Sequence, residues 1–211
     1  MPDRDLGPTS RVAVTLSDVL AAARVVRVNL RMPFRGVTSR TGVILAGPAG
    51  WGEFAPFAEY GPGESAWWLD AAVEAAFAGW PQPVRLSVPV NAIVPGVGPE
   101  LAAELARTAH TAGARTIKIK VAGAGDRLAA DADRVAAVRA EFGGRIRIDA
   151  NGAWTPDEAV AALQVLDRIA GGLEYVEQPC ADLAGLAEVR RRCDVRVAAD
   201  GSIRRARDPL Q

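Results

Sequence analysis

The sequence predicts an α/β protein in two parts, a small α+β domain over residues 1–84 and a run of β/α units over residues 85–211. Three observations carry this reading. Before residue 85, apolar stretches are joined by Gly- and Pro-rich turns, the pattern of a small antiparallel sheet. After it, short β-branched runs alternate with Ala-rich stretches of helical periodicity. That rhythm implies a parallel sheet, either open and doubly wound or closed as a barrel. The later β-branched runs also end in charged residues at regular intervals, which packing alone does not require.

Taken in order, "VVRVNLRM" and "GVILAG" predict strands, with turns in "MPFRGVTSRTG" and "AGPAGWGEFAPF". The glycine-rich "GPAGWG" lies between two strands and reads as a hairpin turn, not a phosphate cradle. "GESAWWLDAAVEAAFAGW" has helical spacing, and Trp67 and Trp68 on it read as packing residues. "RLSVPVNAIV" is then a strand and "GPELAAELARTAHTAG" a helix. "RTIKIKV" is a strand and "DRLAADADRVAAVRAEFG" a helix. "GRIRIDANG" is a strand, followed by the helix "TPDEAVAALQVLDRIAG" with Thr155 as N-cap and Pro156 just inside. "GLEYVEQP" is a strand and "ADLAGLAEVRRRC" a helix, with the arginine run 190–192 on a solvated face. "VRVAADGS" is the last strand, and "IRRARDPLQ" opens a further helix. No GxGxxG or Walker loop follows the first strand of this run, which weighs against nucleotide binding.

Bulk properties narrow the function. Of 211 residues, 49% are hydrophobic, ample for a folded core. Lys+Arg and Asp+Glu both total 25, so there is no electrostatic footprint for nucleic acid or an anionic membrane. The charged start lacks the apolar run of a signal peptide, and no stretch has the length of a membrane helix, so a soluble cytoplasmic protein is expected. Cys180 and Cys193 make no disulfide framework, and Cys180 has no nearby histidine to activate it. The single histidine, His110, sits in a helical pattern, which leaves histidine triads and histidine-rich zinc sites without support.

The charges at the strand ends point to chemistry. Side chains alternate along a strand, so Lys118 and Lys120 share one face of theirs. Arg147 and Asp149 share a face of the next, with Asn151 just beyond. Glu177 ends the following strand and Asp200 the one after. From Lys120 to Asp149, Glu177 and Asp200 the steps are 29, 28 and 23 residues, each about one βα unit. Each unit thus delivers a charge to the C-terminal end of its strand, where parallel α/β proteins build their sites. An unpaired charge inside a barrel would cost several kcal/mol. Three carboxylates without His or Cys suit a hard cation such as Mg²⁺. Lysines beside it suit a base whose pKa is lowered by positive neighbours. The alternative is an internal ion-pair network without metal. Lysines and carboxylates in register on four consecutive strands favour a site.

The stretches "KIK", "RIDANG", "YVEQP" and "AADGSI" resemble the enolase superfamily, specifically its muconate-lactonizing-enzyme-like branch. That resemblance implies an α+β capping domain followed by a TIM-type (β/α) barrel, here incomplete, with five of eight strands. It implies Asp149, Glu177 and Asp200 as Mg²⁺ ligands and Lys120 as general base. Lys118 would hold the substrate carboxylate or tune Lys120, Arg147 would support the charge balance, and Asn151 would orient the ligand. The implied activity is that of a hydro-lyase acting on a small-molecule carboxylate. The stretches "PFRGVTSR" and "GPAGWGEFAPFAEY" resemble one group within the branch, and that resemblance implies a Mg²⁺-dependent syn dehydration of a cyclohexadiene carboxylate in menaquinone synthesis. The alternatives are an N-acylamino-acid racemase or dipeptide epimerase on the same scaffold, and an inactive truncated fragment. Two departures from the family pattern bear on the last. Gly201 follows Asp200 where the family has an acidic residue. The chain also ends at Gln211, about 80 residues short of a barrel of usual size and without a lysine from a sixth strand. The expectation from this is a truncated homologue with little activity of its own.

Overall fold

The computed structural model describes residues 14–34, 37–123, 125 and 127–203. The chain divides into two compact units, Met1–Ser87 and Val88–Gln211.

In the first unit, helix α1 (Leu16–Ala22) leads into β1 (Ala23–Phe34), β2 (Val37–Gly47) and β3 (Gly50–Phe54), which pair antiparallel in the order β1-β2-β3. α1 is an element the sequence reading passed over. Its start is a capping box, Thr15 accepting from the Asp18 amide while the Asp18 carboxylate accepts from Thr15. "GPAGWG" forms the predicted hairpin, with Pro48 and Ala49 at the turn. Helix α2 (Pro62–Val73) follows and continues as a π-helical turn, Glu74–Ala78. It meets the sheet through small residues. A Cβ at Gly52 would lie 2.0 Å from the Ala72 carbonyl, and one at Gly47 2.2 Å from that of Ala76. Glycine at these two sites lets helix and sheet backbones touch, and Leu45, Ala72 and Ala76 form the small core there. Trp67 and Trp68 do not fill it. Trp68 stacks on Tyr60 with ring centroids 5.7 Å apart, and Trp67 stays 65% exposed. The helix packs by its alanines, which leaves no depth for an indole.

The second unit is a parallel sheet of β4 (Ala92–Val94), β5 (Thr116–Lys120), β6 (Arg145–Asp149), β7 (Leu173–Glu177) and β8 (Val197–Ala198). Helices α3 (Pro99–Thr111), α4 (Leu128–Glu141), α5 (Pro156–Ala170) and α6 (Leu183–Arg192) make the connections. The strand order follows the chain order, β4-β5-β6-β7-β8. A doubly wound sheet would reverse direction at a switch point; this one advances in a single direction, as a barrel wall does. Right-handed crossovers taken in one direction put every helix on the same face. That face carries Ile117, Ile119, Ile146, Ile148 and Val176, all fully buried with Val135, Val138, Leu163 and Leu166 of the helices. Helix α5 begins at Thr155 with a capping box to Glu158 and Pro156 in its first turn, and ends at Gly171 in a left-handed conformation (φ 67°).

Two strands are shorter than the sequence implied. In "RLSVPVNAIV" only Ala92–Val94 pairs with β5, while Leu86, Val88 and Val90 are exposed. Pro89 removes an amide donor there. In "VRVAADGS" only Val197–Ala198 forms a ladder, and Gly201–Ile203 turns as a 3-10 helix. The remainder of "IRRARDPLQ" lies outside the described residues.

Candidate active site

Register builds the site. Lys118 pairs with Arg147 and Arg147 with Tyr175; Lys120 pairs with Asp149 and Asp149 with Glu177. Because side chains alternate, these residues stand on the face opposite the buried isoleucines. The Lys120–Asp149–Glu177 row lies at the C-terminal ends of three adjacent strands.

The row is closed by ion pairs. Lys118 Nζ donates to both Glu177 oxygens, at 2.8 and 2.9 Å, and lies 3.4 Å from Asp149 Oδ2. Lys120 Nζ donates to the Asp149 carboxylate and to Asn151 Oδ1, the latter at 3.0 Å. The Asn151 amide donates back to Asp149 Oδ1 at 2.9 Å. The Asp149 side chain has no exposed surface, and those of Lys118, Lys120 and Glu177 are 16%, 12% and 13% exposed. Burial alone would raise the Asp149 carboxyl. The hydrogen bond and charge of Lys120, the Asn151 amide and the charge of Lys118 together outweigh it and hold Asp149 below the usual carboxylate value. Burial likewise works to lower the Lys118 ammonium, but the bond to Glu177 and the charges of Glu177 and Asp149 push it above the ordinary lysine value.

The strands end sharply beside these residues. Ala122, Asn151 and Gln178 all have positive φ, at 56°, 50° and 42°. Each follows a charged residue of the row by one or two positions. A left-handed non-glycine residue costs of order 1–3 kcal/mol, so the surrounding contacts must hold each of them.

Arg147 does not join the row. Its guanidinium donates to Glu174 at 2.6 Å and to Asn91 at 2.8 Å, and lies over the Tyr175 ring at 4.7 Å. It stands one layer deeper, beside Lys118. Asp200 belongs to the next strand connection. It follows the two-residue β8 and is exposed, its amide donating to Gln178 Oε1 at 2.7 Å. Among the described residues, no three Asp, Glu, His or Cys side chains are placed to hold one metal ion. Of the three carboxylates, Asp149 and Glu177 meet on the ammonium of Lys118. The donor set still fits a hard cation. Asp149 and Glu177 offer only oxygen, they already crowd one positive charge, and Asp200 follows the neighbouring strand.

Residues that sequence reasoning missed frame this group. Gln178 is 3% exposed, and its Oε1 accepts from the Asp200 amide and from the amide and hydroxyl of Ser202. Its Nε2 donates to the Cys180 carbonyl. It follows Glu177 directly, which was the available signal. Asn91 and Glu174 hold Arg147, and only the fold shows it. Cys180 is buried; burial and the charges of Asp182, Glu188 and Glu158 push its thiol up, away from nucleophile chemistry. His110 is exposed on α3, edge-on to Phe142 with centroids 6.0 Å apart.

Comparison with known proteins gives three kinds of match. The profile of the enolase N-terminal domain-like family matches residues 25–76, and that of the enolase C-terminal domain-like family matches residues 100–210. An o-succinylbenzoate synthase of Thermobifida fusca (strain YX) is 57% identical over 190 residues, covering 89% of this chain and 58% of that protein. An o-succinylbenzoate synthase of Mycolicibacterium smegmatis is 50% identical over 196 residues, covering 93% and 60%. The chain therefore spans less than two thirds of the length of these relatives. Among solved structures, a substrate-liganded L-Ala-D/L-Glu epimerase from Bacillus subtilis superposes with a TM-score of 0.69 at 27% identity, covering 84% of this chain and 66% of that one. An o-succinylbenzoate synthase from Thermosynechococcus elongatus BP-1, complexed with magnesium, gives 0.61 at 23% identity, covering 84% and 67%, and shows the fold alone.

Proposed function

The chain belongs to the enolase superfamily, and from that premise we propose that the whole protein is an o-succinylbenzoate synthase. The reaction is the Mg²⁺-dependent syn dehydration of a cyclohexadiene carboxylate in menaquinone synthesis, carried out in the cytoplasm. The observation that carries this is the meeting of Lys118 and Lys120 with Asp149 and Glu177 at the C-terminal ends of adjacent parallel strands. The identity to named synthases supports the choice of reaction.

Asp149, Glu177 and Asp200 are the residues that would hold Mg²⁺. When bound, the cation supplies positive charge to substrate oxygens as electrons leave the C–H bond beside the carboxylate. Lys120, as the free amine, takes the proton from that carbon and returns it to the departing hydroxyl on the same face of the ring. One C–H and one C–O bond break, one C=C bond forms, and water leaves. A syn elimination lets one lysine serve as base and then acid. Lys118, one pleat repeat away, holds the substrate carboxylate as an ammonium, and Asn151 orients the ligand from beside Lys120. The structure pairs both lysine side chains with carboxylates. Arg147 acts through charge balance beneath the site.

The test is to assay the whole protein, in its full reading frame, for Mg²⁺-dependent aromatisation of the cyclohexadiene carboxylate. Turnover that disappears with chelator supports the reading; none at saturating Mg²⁺ refutes it. The likeness to the B. subtilis epimerase supports a second reading, dipeptide epimerisation. Incorporation of solvent deuterium at the α-carbon of a dipeptide, with inversion, would establish it instead.

A further inference from the structure

Beneath Lys120 lies a buried ion pair that the mechanism above does not use. Asp131 and Arg134 of α4 are joined at 2.6 Å, with 2% and 4% of their side-chain surface exposed. Two buried charges are costly to desolvate, and such a pair is often no more stabilising than apolar residues of the same size. Its value must lie in what it holds. Arg134 Nη1 donates to the carbonyl of Lys120 at 3.0 Å, and Arg134 Nε donates to the carbonyl of Val97, after β4, at 2.6 Å. Asp131 Oδ2 accepts the amide of Ala122 at 2.9 Å. Helix α4 thus grips the main chain on both sides of Val121, at the point where Ala122 turns left-handed with φ 56°. These groups are all part of the Val88–Gln211 unit.

We propose that the Asp131–Arg134 pair is the positioning device for Lys120. It clamps the last peptide of β5 so that the Lys120 side chain leaves the strand toward Asp149 and Asn151. The planar guanidinium suits the task because its fork reaches the loop after β4 and the end of β5 at once, which an ammonium does not. The carboxylate fixes the guanidinium plane with one oxygen and secures the left-handed residue with the other. A shift of about 1 Å in a reacting group is enough to cost on the order of 10²-fold in rate, so the pair acts on turnover without touching substrate. The catalytic part of this inference rests on the dehydration proposed above, while the clamp itself does not.

The experiment uses the whole protein, wild type and Arg134→Lys, in two arms. The first arm is amide hydrogen exchange without substrate. The wild-type Ala122 amide should exchange as slowly as those of β5, and Arg134→Lys should speed exchange over residues 118–122 while β6 and β7 keep their protection. Loop-like exchange at Ala122 in the wild type, or an unchanged β5 end in the variant, overturns the clamp. The second arm is steady-state kinetics per folded molecule. Arg134→Lys should lower kcat at least tenfold with KM within about twofold. A kcat within twofold of wild type overturns the positioning role and reduces the pair to a structural one. Should Arg134→Lys not fold, the wild-type exchange arm still judges the clamp, and the paired replacement Asp131→Asn with Arg134→Gln supplies the kinetics. A wild type with the predicted exchange and no dehydration refutes the reaction, and the link to turnover with it, but not the clamp.

Discussion

The two faces of β5, β6 and β7 share a backbone and follow opposite rules. On one face Ile117, Ile119, Ile146 and Ile148 are fully buried against the helices. On the other, Lys118, Lys120, Asp149 and Glu177 are almost as well buried, yet each depends on a partner of opposite charge. Apolar contacts are non-directional and numerous, so losing one atom costs in proportion to area. Charges in a low dielectric are directional and few, so losing one strands another. The first face builds the fold. The second adds little to stability for the burial it demands, and that places its purpose in chemistry.

The largest effect should come from the charged face acting on rate. In the whole protein, Lys120→Ala should lower dehydration by about 10²–10⁴-fold while the Mg²⁺ concentration for half-maximal residual turnover changes little. Turnover within tenfold of wild type would remove Lys120 from the role of base. Next is the cost of stranding a charge. Asp149→Ala removes the buried carboxylate that Lys118 and Lys120 share and should cost about 3–5 kcal/mol in denaturant unfolding. On the apolar face, Ile148→Ala should cost about 2–5 kcal/mol and Ile148→Val only about 0.5–1.5 kcal/mol. If the Ala and Val variants were equally damaging, the face would be governed by shape and not by area.

The smallest effect concerns the helix that covers the apolar face. The backbone and hydroxyl of Thr155 hold the Glu158 carboxyl below its ordinary value. A lowered pKa means the contribution is present above the unfolded-state value, about 4.3, and fades as pH falls through the folded one. Acid should therefore weaken amide protection in the first turn of α5. Glu158→Gln should make that turn insensitive over the same range, as read by hydrogen exchange.

This contrast was half legible in the sequence. Period-two alternation puts Lys118 with Lys120 and Arg147 with Asp149, and β/α spacing carries Glu177 to the same end. What could not be read is how far each strand pairs and where each charge finds its partner. Pro89 hints at the shortness of Ala92–Val94, but Val197–Ala198 is short because pairing depends on a neighbour, and nothing in its segment records that. The same limit hid the pairing of Arg147 with Glu174, which arises from residues 27 apart. Asp200 has the position the spacing expects, and only the fold shows that Gln178 holds its amide just past a two-residue strand. Asp131 and Arg134 look like ordinary polar residues of a helix, and only the fold buries them.

The central claim is that the charged face exists for chemistry and the apolar face for stability. The paired substitution Lys118→Met with Glu177→Leu in the whole protein tests it most directly, because it removes both members of one buried ion pair and keeps their bulk. Replacing such a pair by apolar residues is commonly neutral or stabilising by about 1–4 kcal/mol. The account predicts an unfolding free energy equal to or above that of wild type, with Mg²⁺-dependent turnover lost. A variant that is destabilised by several kcal/mol yet turns over like the wild type would contradict it.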